Sequence, residues 1–136
     1  MLVFSDLNFH WKRKRSCKNY KNVTIFRLNL VLKTLANIDI SPEQWHIVSA
    51  ILQKHIPDKT VWAFGSRVTH TAKPYSDLDL AIISDSELSI SLLAALEHDF
   101  TESDLPFKVD IVDWAATSPG FQAIIKNRHA VLKIQQ

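Results

Sequence analysis

The sequence predicts a small α/β fold, one mixed β-sheet flanked by helices, and three observations carry that reading. The chain has 136 residues, 46% hydrophobic and 22% charged, the size and mix of one ordinary folded domain rather than a disordered tail, a fibre or a multidomain machine. From residue 41 onward, short β-branched or apolar runs alternate with stretches of helical periodicity, as expected of helices packed on a sheet. Capping residues and prolines punctuate the joints between them.

Ser41-Pro42-Glu43-Gln44 is a capping box with proline at the first helical position, followed by Trp45, Val48, Ile51 and Leu52 at helical spacing. A helix of about 14 residues therefore runs to His55 and stops before Pro57-Asp58. Thr60 to Phe64 is short, β-branched and aromatic and ends at Gly65, which predicts a buried strand. Arg67 to Ser76 is polar and contains Pro74, so it is a loop or one short helical turn. Asp77 to Ile83 alternates acid with leucine before turning wholly apolar, a strand with one polar-lined end. Asp85-Ser86 caps a second helix whose stripe is Leu88, Leu92, Leu93 and Leu96, reaching Phe100. A turn at Ser103-Asp104 and Pro106 leads to a third strand, Phe107 to Asp113. Ser118-Pro119 starts the last helix with Phe121, Ile124 and Ile125, and Ala130 to Ile134 closes the chain.

The formal charge of +2 hides two opposed pieces. Residues 1–35 hold eight Lys/Arg against Asp6 alone, a net +7, whereas residues 36–136 hold eight bases against thirteen acids, a net −5. Residues 36–136 are expected to form the folded domain. Residues 1–35 are expected to be a basic extension, poorly ordered or outside the native product, with Leu35 corresponding to a leucine-type start codon. In that extension Phe26, Leu28, Leu30 and Leu32 alternate like a strand, while Leu28, Val31, Leu32 and Leu35 fit a helix equally well. The cluster Lys12 to Arg15 is suited to nucleic acid or acidic lipid, or simply to solvent. No run reaches the roughly 18 to 20 apolar residues of a membrane span, and Arg27 inside the apolar part argues against a signal peptide. A single cysteine, Cys17, excludes an internal disulfide and a cysteine-built zinc site, which points to the cytoplasm. Gly65 and Gly120 are the two glycines, too few and too far apart for a glycine-rich phosphate loop.

The chemistry concentrates in one stretch. Asp77 and Asp79, two apart on a strand, point to the same face while Leu78 and Leu80 point to the core. Unless one is protonated, two anions on one face call for a divalent cation, and oxygen ligands suit magnesium or manganese. Asp110 occupies an equivalent position on a strand expected to pair alongside, so three carboxylates could hold one metal or a two-metal clamp for phosphoryl displacement. Upstream, Gly65-Ser66 follows a buried strand at a sharp turn, where glycine permits close approach of a ligand and serine offers a hydroxyl and an N–H to phosphate.

Ten residues separate Ser66 from Asp77. The resulting Gly-Ser-x10-Asp-x-Asp resembles the signature of the polymerase-β-like nucleotidyltransferases. The stretch from Gly65-Ser66-Arg67 through Thr71 to Ala81 resembles their minimal nucleotidyltransferase subgroup, and Lys108 to Trp114 falls where that family places its third acidic strand. The resemblance covers about residues 38 to 134 and leaves residues 1–35 outside. It implies the polymerase-β-like nucleotidyltransferase fold, with Gly65 and Ser66 on the β- and γ-phosphates of a nucleoside triphosphate and Asp77 and Asp79 on magnesium ions, two in all. It further implies that Asp110 ligates the second metal and draws a proton from the attacking hydroxyl. Arg67 and Lys73 either meet the triphosphate or remain solvated loop cations, and Arg67 is counted with Gly65 and Ser66 as nucleotide-binding. Asp113 is expected as a strand-end or capping residue, His70 as exposed, and Trp45, Trp62 and Trp114 as packing residues.

A catalytic domain of about 100 residues offers little cradle for an acceptor. The resemblance to minimal nucleotidyltransferases implies instead an acceptor that is itself a protein. Such proteins are typically antitoxins of helical HEPN ribonuclease toxins, which they silence by moving AMP from ATP to a toxin tyrosine. Two alternatives stand beside this: an antitoxin that acts by binding alone, and an enzyme modifying small hydroxylated substrates such as aminoglycosides. No direct binding of nucleic acid or membrane is expected of the catalytic domain.

Overall fold

The computed structural model describes Leu35, residues 37–132 and Ile134. The expectations for residues 1–34 lie outside the described residues. The elements are α1 (Pro42–His55), β1 (Thr60–Phe64), α2 (Ser66–Thr69), β2 (Leu78–Ile83), α3 (Ile90–Thr101), β3 (Val109–Asp113), a 3-10 turn (Trp114–Ala116), α4 (Pro119–Asn127) and β4 (Ala130–Leu132).

Local sequence explains most of these boundaries. At the start of α1 the Gln44 N–H donates to Ser41 Oγ at 3.1 Å and the Ser41 N–H donates to Gln44 Oε1 at 2.8 Å, closing the capping box read from the sequence. Ser118 caps α4 by accepting from the Phe121 N–H at 3.4 Å, with Pro119 beginning the helix. The second helix departs from expectation. It starts at Ile90 with Ser89 as its cap, not at Asp85-Ser86. The reason lies across the sheet: Asp113 Oδ2 accepts the Leu88 N–H at 2.8 Å, so residues 85–88 stay in an irregular approach and the next free serine caps the helix. Asp113 also caps the 3-10 turn by accepting the Ala115 N–H at 3.2 Å, the capping role expected of it.

The four strands form a mixed sheet in the order β3-β2-β1-β4. β1 pairs antiparallel with both β2 and β4, and β2 pairs parallel with β3 through the crossover helix α3. The closing segment is thus an edge strand. One face of the sheet presents Val61, Ala63, Leu78, Leu80, Ile82, Val109 and Leu132 to Trp45, Val48 and Leu52 of α1 and to Leu96 and Phe100 of α3, all buried. This apolar layer is the main stabilising feature. The two helices are also tied at their outer rim, where Asp99 Oδ2 meets Lys54 Nζ at 2.8 Å and His55 Nε2 at 2.7 Å. The Lys54 bond, followed by that of His55, holds the Asp99 carboxyl down to about 2.

The second face is aromatic. Trp62 stacks on His129 with centroids 3.9 Å apart and meets Trp114 edge-on at 5.3 Å, while Phe64 meets Phe121 edge-on at 5.8 Å. Trp62 and Trp114 are half-buried packing residues, whereas Trp45 lies in the main core. This second face carries the polar end of β2 and β3.

Candidate active site

Strand register assembles the site. In the paired strands Phe64 lies opposite Asp79, and Asp79 lies opposite Asp110, so the three side chains form one row across β1, β2 and β3. Asp77 falls one residue before β2. It is placed by the Leu78 N–H, which donates to the Lys108 carbonyl at 2.9 Å, setting Asp77 beside Lys108 at the strand ends. Asp77 is exposed and Asp79 and Asp110 are half-buried.

These three carboxylates share one electrostatic environment. Burial, then Asp110, then Asp77 push the Asp79 carboxyl up to about 6. A half-buried carboxylate facing two others is a donor set that a hard divalent cation relieves, and the chemistry of the group fits magnesium. Among the described residues, no three Asp, Glu, His or Cys side chains stand gathered around a common metal position. Asp110 Oδ1 lies 2.8 Å from Lys108 Nζ.

Gly65 sits against the row. Its φ of +80° and ψ of −157° suit glycine, and a Cβ built there would overlap Asp79 Oδ2. The glycine therefore both makes the turn out of β1 and leaves space for the carboxylate. Gly65→Ala is expected to lower stability by about 1–3 kcal/mol through backbone strain and to displace Asp79. Denaturant unfolding reads the first effect and nucleotidyl transfer the second; an alanine variant with wild-type values for both would contradict this account.

Arg67 differs from both readings made of it. It is neither a solvated loop cation nor open to a triphosphate, being only 4% exposed. Its Nε donates to the Ser76 carbonyl at 3.0 Å, Nη1 to Asp39 at 2.7 Å, and Nη2 to Pro74 at 3.1 Å and Ser76 at 2.8 Å. The guanidinium lies 3.9 Å from the Phe107 ring centroid. Burial lowers its pKa, opposed by Asp39 and Asp77. The planar fork suits this task, because one side chain reaches carbonyls on two segments. Arg67 thus fastens the loop that delivers Asp77. An arginine directly after Gly-Ser reads as exposed because the loop that folds over it is polar. Lys73 and His70 are exposed, as expected of loop residues. His70 ends α2 in the left-handed conformation, with φ +60°.

Comparison with known proteins follows the same stretch of chain. The profile described as "Polymerase beta, Nucleotidyltransferase" matches residues 47–136. The chain belongs to this nucleotidyltransferase family. The family assignment accounts for the mixed sheet and for the Gly-Ser turn facing an acidic strand pair, and it makes the protein an enzyme of nucleotidyl transfer. A Haemophilus influenzae relative, "Probable protein adenylyltransferase MntA", is 50% identical over 102 residues, covering 75% of this chain and 90% of that protein. Two solved structures share the nucleotidyltransferase fold. One, a toxin-antitoxin with AMP-PNP, has a TM-score of 0.56 and 24% identity, covering 67% of this chain and 73% of that one. The other, a substituted toxin-antitoxin MntA-HpeT, has a TM-score of 0.55 and 22% identity over the same shares. At those identities the structural likeness speaks for the fold. Among the described residues, no helix is long and apolar enough to cross a membrane.

Proposed function

We propose that this nucleotidyltransferase moves the adenylyl group of ATP to a tyrosine hydroxyl of a HEPN-type toxin and so acts as its antitoxin in the cytoplasm. The observation that carries the reading is the row of Asp79 and Asp110, paired directly across β2 and β3 with Gly65 against Asp79. The 50% identical relative bears the name of a protein adenylyltransferase, which favours a protein acceptor.

Asp77, Asp79 and Asp110 would hold two magnesium ions. Bound there, the ions supply neutralisation of triphosphate charge for an in-line displacement. The chain's own residues do the rest. Gly65 and Ser66 receive the β- and γ-phosphates at the turn out of β1. The Asp110 carboxylate accepts the proton of the acceptor hydroxyl as its oxygen bonds to the α-phosphorus, and the bond from that phosphorus to the β-bridging oxygen breaks, releasing pyrophosphate. Phe64 and Phe121 continue the row as an apolar flank, with Phe121 and Ile124 exposed on α4. That flank suits a protein side chain and its surroundings better than a polycationic sugar.

Incubation with a cognate HEPN-type toxin and ATP labelled at either the α- or the γ-phosphate tests the reaction. Label from the α-position is expected on the toxin and label from the γ-position is not. Transfer of the γ-label would make the enzyme a kinase and contradict the proposal.

A further inference from the structure

Lys108 has no part in the chemistry described above, yet it is placed among the carboxylates. Its Nζ lies 2.8 Å from Asp110 Oδ1. The bond to Asp110 raises the lysine's pKa, with Asp77 and Glu97 of α3 acting in the same direction. Its side chain is 72% exposed and that of Asp110 38%. An exposed pair of this kind contributes little to stability and is easily exchanged for another partner. The register explains the position: the Lys108 carbonyl receives the Leu78 N–H, which sets the lysine at the mouth of the row and two residues before the carboxylate that it holds.

We propose that Lys108 is a resident counter-cation that occupies Asp110 in the free protein and surrenders it to an incoming divalent cation. The proposal rests on Asp77, Asp79 and Asp110 being the metal-binding carboxylates. An ammonium on Asp110 offsets the repulsion within the row while no metal is bound. It also makes metal binding a competition, because this carboxylate is released only when a divalent charge, or the metal carried by a nucleotide, displaces the lysine. Lys108 is thereby a positioning residue that sets how readily the site loads.

Manganese binding to the whole protein, followed by electron paramagnetic resonance without nucleotide, reads this directly. Lys108→Gln is expected to bind Mn2+ about three- to fivefold more tightly than wild type, the upper end of what one exposed ion pair contributes, and Lys108→Arg to behave as wild type. In an Asp110→Asn background the same glutamine change is expected to alter the affinity little. An equal gain in both backgrounds would show a diffuse charge effect and overturn the exchange at Asp110. Weaker Mn2+ binding by Lys108→Gln would overturn it as well. Asp79→Asn separates the two levels: Mn2+ binding that survives this change unaltered refutes the carboxylate site itself, whereas its loss, with no gain from Lys108→Gln, refutes the lysine's role alone.

Discussion

Asp79→Asn is expected to cut nucleotidyl transfer by at least about a hundredfold, the scale of removing a group that stabilises transition-state charge, while making the metal-free protein more stable at neutral pH. The two effects have one origin. Asp79 is pushed up to about 6 by burial and by Asp110 and Asp77, so its folded pKa lies above the unfolded one. The stability associated with this group is fully present below about pH 4, where both states are protonated, and is lost as pH rises through about 6. At pH 8 the ionised carboxylate is therefore a burden on the fold. Because Asp79 is only half-buried, solvent screening limits that burden to about 1–2 kcal/mol. Asparagine keeps the shape and removes the charge. Thermal melts without divalent cations should show the variant above wild type at pH 8 and the gap closing toward pH 5. Magnesium should raise the wild-type melting temperature and leave the variant's unchanged. A variant less stable than wild type at pH 8 would contradict the electrostatic account of the row.

Arg67→Ala is expected to be the most destabilising single change near the site, at about 3 kcal/mol or more. It strands the carbonyls of Asp39, Pro74 and Ser76, which the guanidinium now satisfies, and it empties the space over Phe107. Arg67→Lys should recover only part of this loss, because a single ammonium cannot span the same carbonyls. The slackened loop also lets Asp77 drift, so transfer should fall even under conditions where the lysine variant is folded. Guanidinium unfolding and ATP binding together distinguish this role from direct nucleotide contact. An arginine that bound triphosphate would, when replaced, weaken ATP binding with the unfolding midpoint unchanged.

The parts of the fold legible in the sequence are those governed by residues near one another in the chain. Ser41 to Gln44 and Ser118-Pro119 mark helix starts because capping is a contact across three residues. Asp79 and Asp110 could be placed on adjoining strands because a period of two and an apolar flank assign their faces. What was not legible depends on distant partners. The start of α3 is set by Asp113, which takes the Leu88 N–H from the end of β3. β4 is a strand because it pairs with β1 at Val61 to Ala63, and three residues are too few to show a period. Arg67 is buried by carbonyls up to 28 positions away, and no local pattern distinguishes it from Lys73. The contact of Lys108 with Asp110 spans only two residues and still has no signature in the sequence, because alternation along a strand predicts a shared side and not which cation bonds which acid.

Silencing of the toxin is proposed to be a covalent act of the Asp77, Asp79 and Asp110 row. Intact mass spectrometry of the toxin after incubation with this protein, ATP and magnesium tests it most directly, with Asp77→Asn/Asp79→Asn run alongside. A toxin heavier by one or more adenylyl groups is expected, with the groups located on tyrosine and absent with the double variant, together with loss of toxin activity in the first case only. A toxin of unchanged mass that is nonetheless silenced by both proteins would contradict it and leave neutralisation by binding as the function of the fold.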